Sequence, residues 1–130
     1  MDLRSHPELS PEEARLLEKG VADFNSGRFF ECHDTLEEAW RWMKGPARNF
    51  FQGLIHIAVG FYHINLRNLS GGKSQLEKGL AKLAPYGDTF AGFDLTAVCA
   101  EARSWLDRIR SGEALSNPGI KGPQIFRANY

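Results

Sequence analysis

FFECHDTLEEAW, residues 29–40, is the stretch on which the fold class turns. At about 100° per residue, Phe29, Cys32, Leu36, Ala39 and Trp40 gather on one side, the core-facing stripe of an amphipathic helix. No alternating run of strand length appears here or elsewhere in the chain, so the predicted class is all-α. His33 is the odd member, because it falls between Phe29 and Glu37 inside the edge of the apolar stripe. An imidazole in that position is either a paired core group or part of a site.

The flanking sequence punctuates itself into four more helices. In SPEE, residues 10–13, Ser10 stands at an N-cap, Pro11 at the first helical position and Glu13 where a capping box needs it. Ala14, Leu17, Val21 and Phe24 then repeat at helical spacing, and Gly27 supplies the stop. The second helix is predicted from about Arg28 to Met43, ending at KGPA, where Gly45 closes one helix and Pro46 opens the next. The third runs to about Asn68. After SGGK, a fourth over about 72–84 buries Leu76, Leu80 and Leu83. Asp94 is the expected N-cap of a fifth, carrying Leu95, Val98, Ala102, Leu106 and Ile109 to a stop at Gly112. The expected division is a helical bundle over 1–112 and, from Glu113, an extended tail without a period over 113–130, anchored by Ile120 or Ile125.

Shifting the chain by about forty residues lays Gly20 on Gly60, Asn25 on Asn65, Leu36 on Leu76 and Glu37 on Glu77. Small residues at mid-helix followed by a short turn and a second amphipathic helix give a tetratricopeptide-like layout, although that repeat has a period nearer thirty-four. Consecutive helices with such short links are expected to pack as antiparallel hairpins.

The 130 residues match one globular domain, and the 16 basic and 16 acidic residues leave no net charge. No global field draws the chain to nucleic acid or to an anionic membrane. LIHIAVGFYHINL, residues 54–66, is too short and too interrupted by histidine to span a bilayer, and the polar start MDLRSHPELS lacks a secretory signal, so a soluble cytoplasmic protein is expected. Cys32 and Cys99 lie on apolar stripes without metal-ligand neighbours and read as small hydrophobes with free thiols.

The runs FNSGRFFECHDTLEEAWR, GPARNFFQGLIHIAVGFYHINLRNLSGG and LEKGLAKL resemble a bacterial and plastid family known as domain of unknown function 309. The likeness covers about residues 20–110. Its motif falls on His33, Asp34, Glu37, Trp40 and Arg41, then on Gly45, Pro46, Arg48, Gln52, Gly53, His56 and His63. The resemblance implies a small helical bundle and brings no established activity, substrate or catalytic residue.

Candidate site residues concentrate on the third helix, where Arg48, Gln52, His56, His63 and Arg67 share a sector of about 100° flanked by Gly53 and Gly60. The glycines serve either close helix packing or the floor of a groove. With the hairpin turning midway through KGPA, His33 comes level with Ile57 and Ala58, Glu37 with Leu54, and Trp40 or Arg41 with Phe50. A compact cluster of His33, Glu37, Gln52 and His56 is therefore expected.

That cluster admits three readings. One is a hydrogen-bonded network pinning the two helices. Another is a divalent metal held by His33, Glu37 and His56, the basis of a hydrolase-like enzyme. The third is a pocket for a small anion near Arg41, Arg48 and Arg67. Trp42, beside Glu38 and Thr35 on the face away from the apolar stripe, reads as an exposed interface anchor for a protein partner or a second copy. The expectation adopted is a non-enzymatic binding or scaffold protein without a cofactor, with the metal enzyme and the small anionic ligand binder as alternatives.

Overall fold

Ser10 opens the first helix as its sequence requires. The Ser10 hydroxyl accepts from the Glu13 amide at 3.1 Å, and the Glu13 carboxylate accepts from the Ser10 amide at 3.0 Å, so two otherwise unpaired helix-end donors are satisfied. The computed structural model of the chain describes residues 9–113 and 122–128. Its helices are α1 (Pro11–Asn25), α2 (Phe29–Trp40), α3 (Ala47–Asn65), α4 (Leu69–Leu83) and α5 (Thr96–Ser111), with a 3₁₀ turn over Ala84–Tyr86. Among the described residues, no helix is long and apolar enough to cross a membrane.

The all-α class holds, with a small sheet in addition. Strands β1 (Thr89–Phe90), β2 (Phe93–Asp94) and β3 (Phe126–Arg127) pair antiparallel in the order β1-β2-β3. Two-residue strands are too short to show alternation, which is why the sequence conceals them. Ile125 anchors the tail as expected: it is buried, and Asn25 pairs with its backbone through both amide atoms, at 2.9 and 2.8 Å. The other expected anchor, Ile120, lies outside the described residues.

Helix ends differ from the sequence reading in four places, the first being α3, which stops at Asn65 rather than near Asn68. Helix α2 stops at Trp40 rather than Met43. Helix α4 begins at Leu69, because the Asn68 side chain caps it by accepting from the Gly71 amide at 3.0 Å, and the glycines of SGGK lie inside the helix. Leu95, not Asp94, is the N-cap of α5, while the Asp94 carboxylate accepts from the Thr96 amide and hydroxyl.

The forty-residue offset reappears as geometry. Both α1 and α3 end in the same turn: the Arg28 amide donates to the Asp23 carbonyl at 2.9 Å, and the Asn68 amide to the His63 carbonyl at 2.8 Å. Gly27 and Arg67 occupy the left-handed position of that turn, at φ 79° and 65°. A Cβ added to Gly20 would lie 2.6 Å from Leu36 Cδ2, and one added to Gly60 would lie 2.6 Å from Leu76 Cδ2. The chain therefore contains two hairpins of one build, α1–α2 and α3–α4. Their shared core includes Phe24, which packs edge-on against Phe29 and Phe61 at ring separations of 5.1 and 6.0 Å.

Candidate functional site

The seam between α2 and α3 carries most of the residues singled out above. Its register is set at two levels: the Arg48 guanidinium lies 4.2 Å above the Trp40 ring, and Phe30 stacks 5.5 Å from Tyr62. These pairs bracket the predicted levels, since an antiparallel hairpin that joins 40 to 48 and 30 to 62 brings His33 level with residues 57 to 58. The neighbours reached by the side chains are another matter.

His33, Glu37 and Arg41 form a chain along α2, each one turn from the next. The His33 Nε2–H donates to Glu37 Oε2 at 2.9 Å, and Arg41 donates to Glu37 Oε1 at 2.9 Å. The Arg41 hydrogen bond holds the Glu37 carboxyl below the usual carboxylate range, against partial burial and with help from His33. His56 turns the other way, toward α4, and donates from Nδ1 to Gln75 Oε1 at 2.7 Å. His63 stays at its own helix end, where its Nδ1 accepts from Asn68 at 3.3 Å.

The compact four-residue cluster is thus divided. Among the described residues, no hydrogen bond or ion pair joins His33 or Glu37 to Gln52 or His56. No group of three or more His, Cys, Asp or Glu side chains among them is placed to hold a metal ion, so His33, Glu37 and His56 do not assemble as a ligand set. Two of the three arginines proposed to hold an anion are already engaged, Arg41 by Glu37 and Arg48 by Trp40.

Gly53 and Gly60 face α4 rather than an open groove. A Cβ on Gly53 would meet Leu83 at 2.8 Å, so leucine side chains fill the space that a pocket floor would have left. Trp42 stands clear of the protein at 83% exposure, as expected, but Thr35 does not share that environment. Thr35 is buried, and its hydroxyl lies 3.4 Å from the Asp23 carboxylate, which Arg28 also reaches at 2.9 Å and Lys19 at 3.3 Å. Both thiols are buried, and desolvation pushes each above the ordinary thiol range, so neither supplies a thiolate at neutral pH.

Sequence reading missed two neighbours of the candidate site residues. Gln75 was invisible as the partner of His56, because it sits on α4. Phe30 is 48% exposed, with its ring 5.6 Å from His33 and its other neighbour on α3; its position at the edge of the stripe was the available signal. Two buried atoms on the same side of α2 lack hydrogen-bond partners, His33 Nδ1, 3.9 Å from the Asp34 carboxylate, and Trp40 Nε1.

Residues 17–75, from α1 through the seam to the glutamine that holds His56, match the family described as "Domain of unknown function (DUF309)". The match takes in 59 of the chain's 130 residues. All the seam residues named above fall within the DUF309 segment. An uncharacterized protein of Aquifex aeolicus (strain VF5) is 28% identical over 107 residues, covering 82% of this chain and 31% of the relative. The uncharacterized protein YpuF of Bacillus subtilis (strain 168) is 36% identical over 55 residues, 41% of this chain and 32% of YpuF. The chain spans about a third of the length of these curated relatives.

Proposed function

We propose that the chain is a non-enzymatic binding module and that the α2–α3 seam takes an extended segment of a partner polypeptide. One observation carries this reading: His33 Nδ1 and Trp40 Nε1 are both buried and both without a hydrogen bond on one stripe of α2, although the Asp34 carboxylate lies 3.9 Å from His33 Nδ1. Each such group costs about 1 to 3 kcal/mol while it lacks a hydrogen bond. The indole is only a donor. In the tautomer whose Nε2–H donates to Glu37, His33 offers Nδ1 as an acceptor.

One donor and one acceptor seven residues apart on a helix are separated by about 10.5 Å. That spacing is about three residues of extended chain, whose backbone offers both a carbonyl and an amide. Arg48 covers the Trp40 ring at one end of this line, and Phe30 and Tyr62 supply an apolar wall at the other. The repeated hairpins support a tetratricopeptide-like use of the fold, in which packed helix pairs display one face to a ligand.

A photo-crosslinking residue at Gln52, in the middle of the seam, is expected to trap one discrete polypeptide in the native host, whereas the same residue at Lys78 on α4 should not. The double change His33→Phe and Trp40→Phe keeps the rings, removes the unpaired atoms and should abolish the crosslink. Equal labelling at Gln52 and Lys78 would defeat the proposal.

A further inference from the structure

The zero net charge conceals a separation along the chain. Residues 11–40, which include α1 and α2, carry eight acidic and three basic side chains, a net of −5. Residues 41–83, which include α3 and α4, carry seven basic and one acidic, a net of +6. The first hairpin is an acidic body and the second a basic one, of nearly equal magnitude.

Trp42 stands where the two halves join. At 83% exposure it is the most exposed of the large apolar side chains among the described residues. It borders a concavity of about 420 Å³ whose floor includes Leu16 and Ala39 and whose rim holds Glu12, Glu13 and Glu38. A second hollow of about 490 Å³ shares Arg15, Leu16 and Glu38 with the first, so the depression continues along the α1–α2 groove. Glu38 and Lys44 flank Trp42 on its acidic and basic sides. Both are exposed, and neither makes an ion pair among the described residues.

We infer that this face binds a second copy of the same chain in a closed two-fold dimer, with each Trp42 seated in the concavity of the other copy. In a two-fold contact, residues on either side of the axis exchange partners. An axis near Trp42 therefore sets each acidic hairpin against the basic hairpin of the other copy and brings Glu38 of each to Lys44 of the other. A parallel arrangement would oppose like charges, and a head-to-tail one would leave an acidic and a basic half uncovered at its ends. The complement of each half already exists on the same chain, and a single symmetric contact satisfies both. A solvent-exposed tryptophan beside an unfilled apolar hollow is the anchor such a contact needs. This dimer uses a different face from the α2–α3 seam and stands or falls separately from it.

Sedimentation at micromolar concentration and low ionic strength should show the wild-type chain as a dimer that dissociates as salt is added, because its attraction is between exposed charges. Trp42→Ala should be monomeric with unchanged helical circular dichroism. Glu38→Lys and Lys44→Glu should each weaken the dimer at least about tenfold, since each sets like charges together twice. An equimolar mixture of these two variants restores both opposite-charge pairs and should sediment as a heterodimer. The chain carrying both changes should dimerise with itself. A wild-type protein that sediments at 14.6 kDa in low salt, or charge variants whose mixture stays monomeric, would overturn the inference. Wild-type monomers that bind an added lysine-rich peptide in a Trp42-dependent manner would also overturn it and give the groove to a basic partner.

Discussion

The two hairpins share a skeleton and differ in what fastens it. In α1–α2 the turn is held by a buried carboxylate: Asp23 is 5% exposed and is reached by Arg28, Lys19 and Thr35. At the equivalent place in α3–α4 stands His63, whose side chain has one hydrogen bond among the described residues, the exposed 3.3 Å contact from Asn68. The second hairpin relies on close packing instead. Gly53 and Gly60 on α3 receive Leu83 and Leu76, while Gly72 and Gly79 on α4 receive Ile64 and Ile57. The same turn can thus be secured by electrostatics or by shape, and the two hairpins should fail under different stresses.

The largest expected effect is in the packed hairpin. A Cβ at position 79 would lie 2.7 Å from Ile57 Cδ1 and 3.0 Å from the Gly53 carbonyl oxygen, and the backbone atom cannot move aside. Gly79→Ala should therefore destabilise the protein by about 2 kcal/mol in urea unfolding, even after the better helix propensity of alanine is counted. Gly20→Ala meets only the branched end of Leu36 and should cost well under half as much. Equal losses at the two positions would erase the distinction between the hairpins.

Next in size is the charged turn. Asp23→Asn should cost about 1 to 2 kcal/mol, a moderate figure because Lys19 and Arg28 are themselves more than half exposed. Burial alone pushes the Asp23 carboxyl up, but the hydrogen bonds from Arg28 and Lys19 outweigh it and leave the carboxyl below its ordinary value. A lowered folded pKa means that the unfolded chain takes up the proton first. The stabilisation is therefore complete above about pH 4 and is lost as pH falls further through the folded value. Urea midpoints between pH 6 and pH 3 should fall more steeply for the wild type than for Asp23→Asn; parallel curves would move the acid sensitivity elsewhere.

The smallest effect sharpens the equivalence of the turns. Arg67 adopts φ 65°, where its counterpart is Gly27 at 79°. Arg67→Gly should stabilise by about 0.5 to 1 kcal/mol by relieving the left-handed strain, and Gly27→Ala should destabilise by a similar amount. Thermal unfolding that moves in one direction for both would show that the turns are not interchangeable.

Helix order, the Ser10 capping box and the apolar stripes were legible because each depends on neighbours within a few residues. The division of the polar cluster was not. Angles on α3 correctly set His56 off its apolar face, but α3 touches α2 on one side and α4 on the other, and no angular argument says which neighbour a side chain will choose. Gly71 and Gly72 read as a break for a related reason: in isolation glycine interrupts a helix, yet a Cβ on Gly72 would lie 2.6 Å from Ile64. The close approach of α3 is what makes glycine suitable inside α4. The forty-residue correspondence resides in a few packing and turn positions, while the surfaces of the two hairpins differ in charge.

The pairing of Asn25 with Ile125 also bears on the order of folding. Each hairpin forms from contacts a few tens of residues apart at most, whereas this amide clasp joins groups 100 residues apart in the chain. The entropy of closing so long a loop is recovered only once α1 and the β-sheet are already in place. During synthesis, both hairpins emerge and can pack before residue 125 exists. The clasp is the final fastening, and until it closes the first helix has its own hairpin to hold it but not yet the far end of the chain.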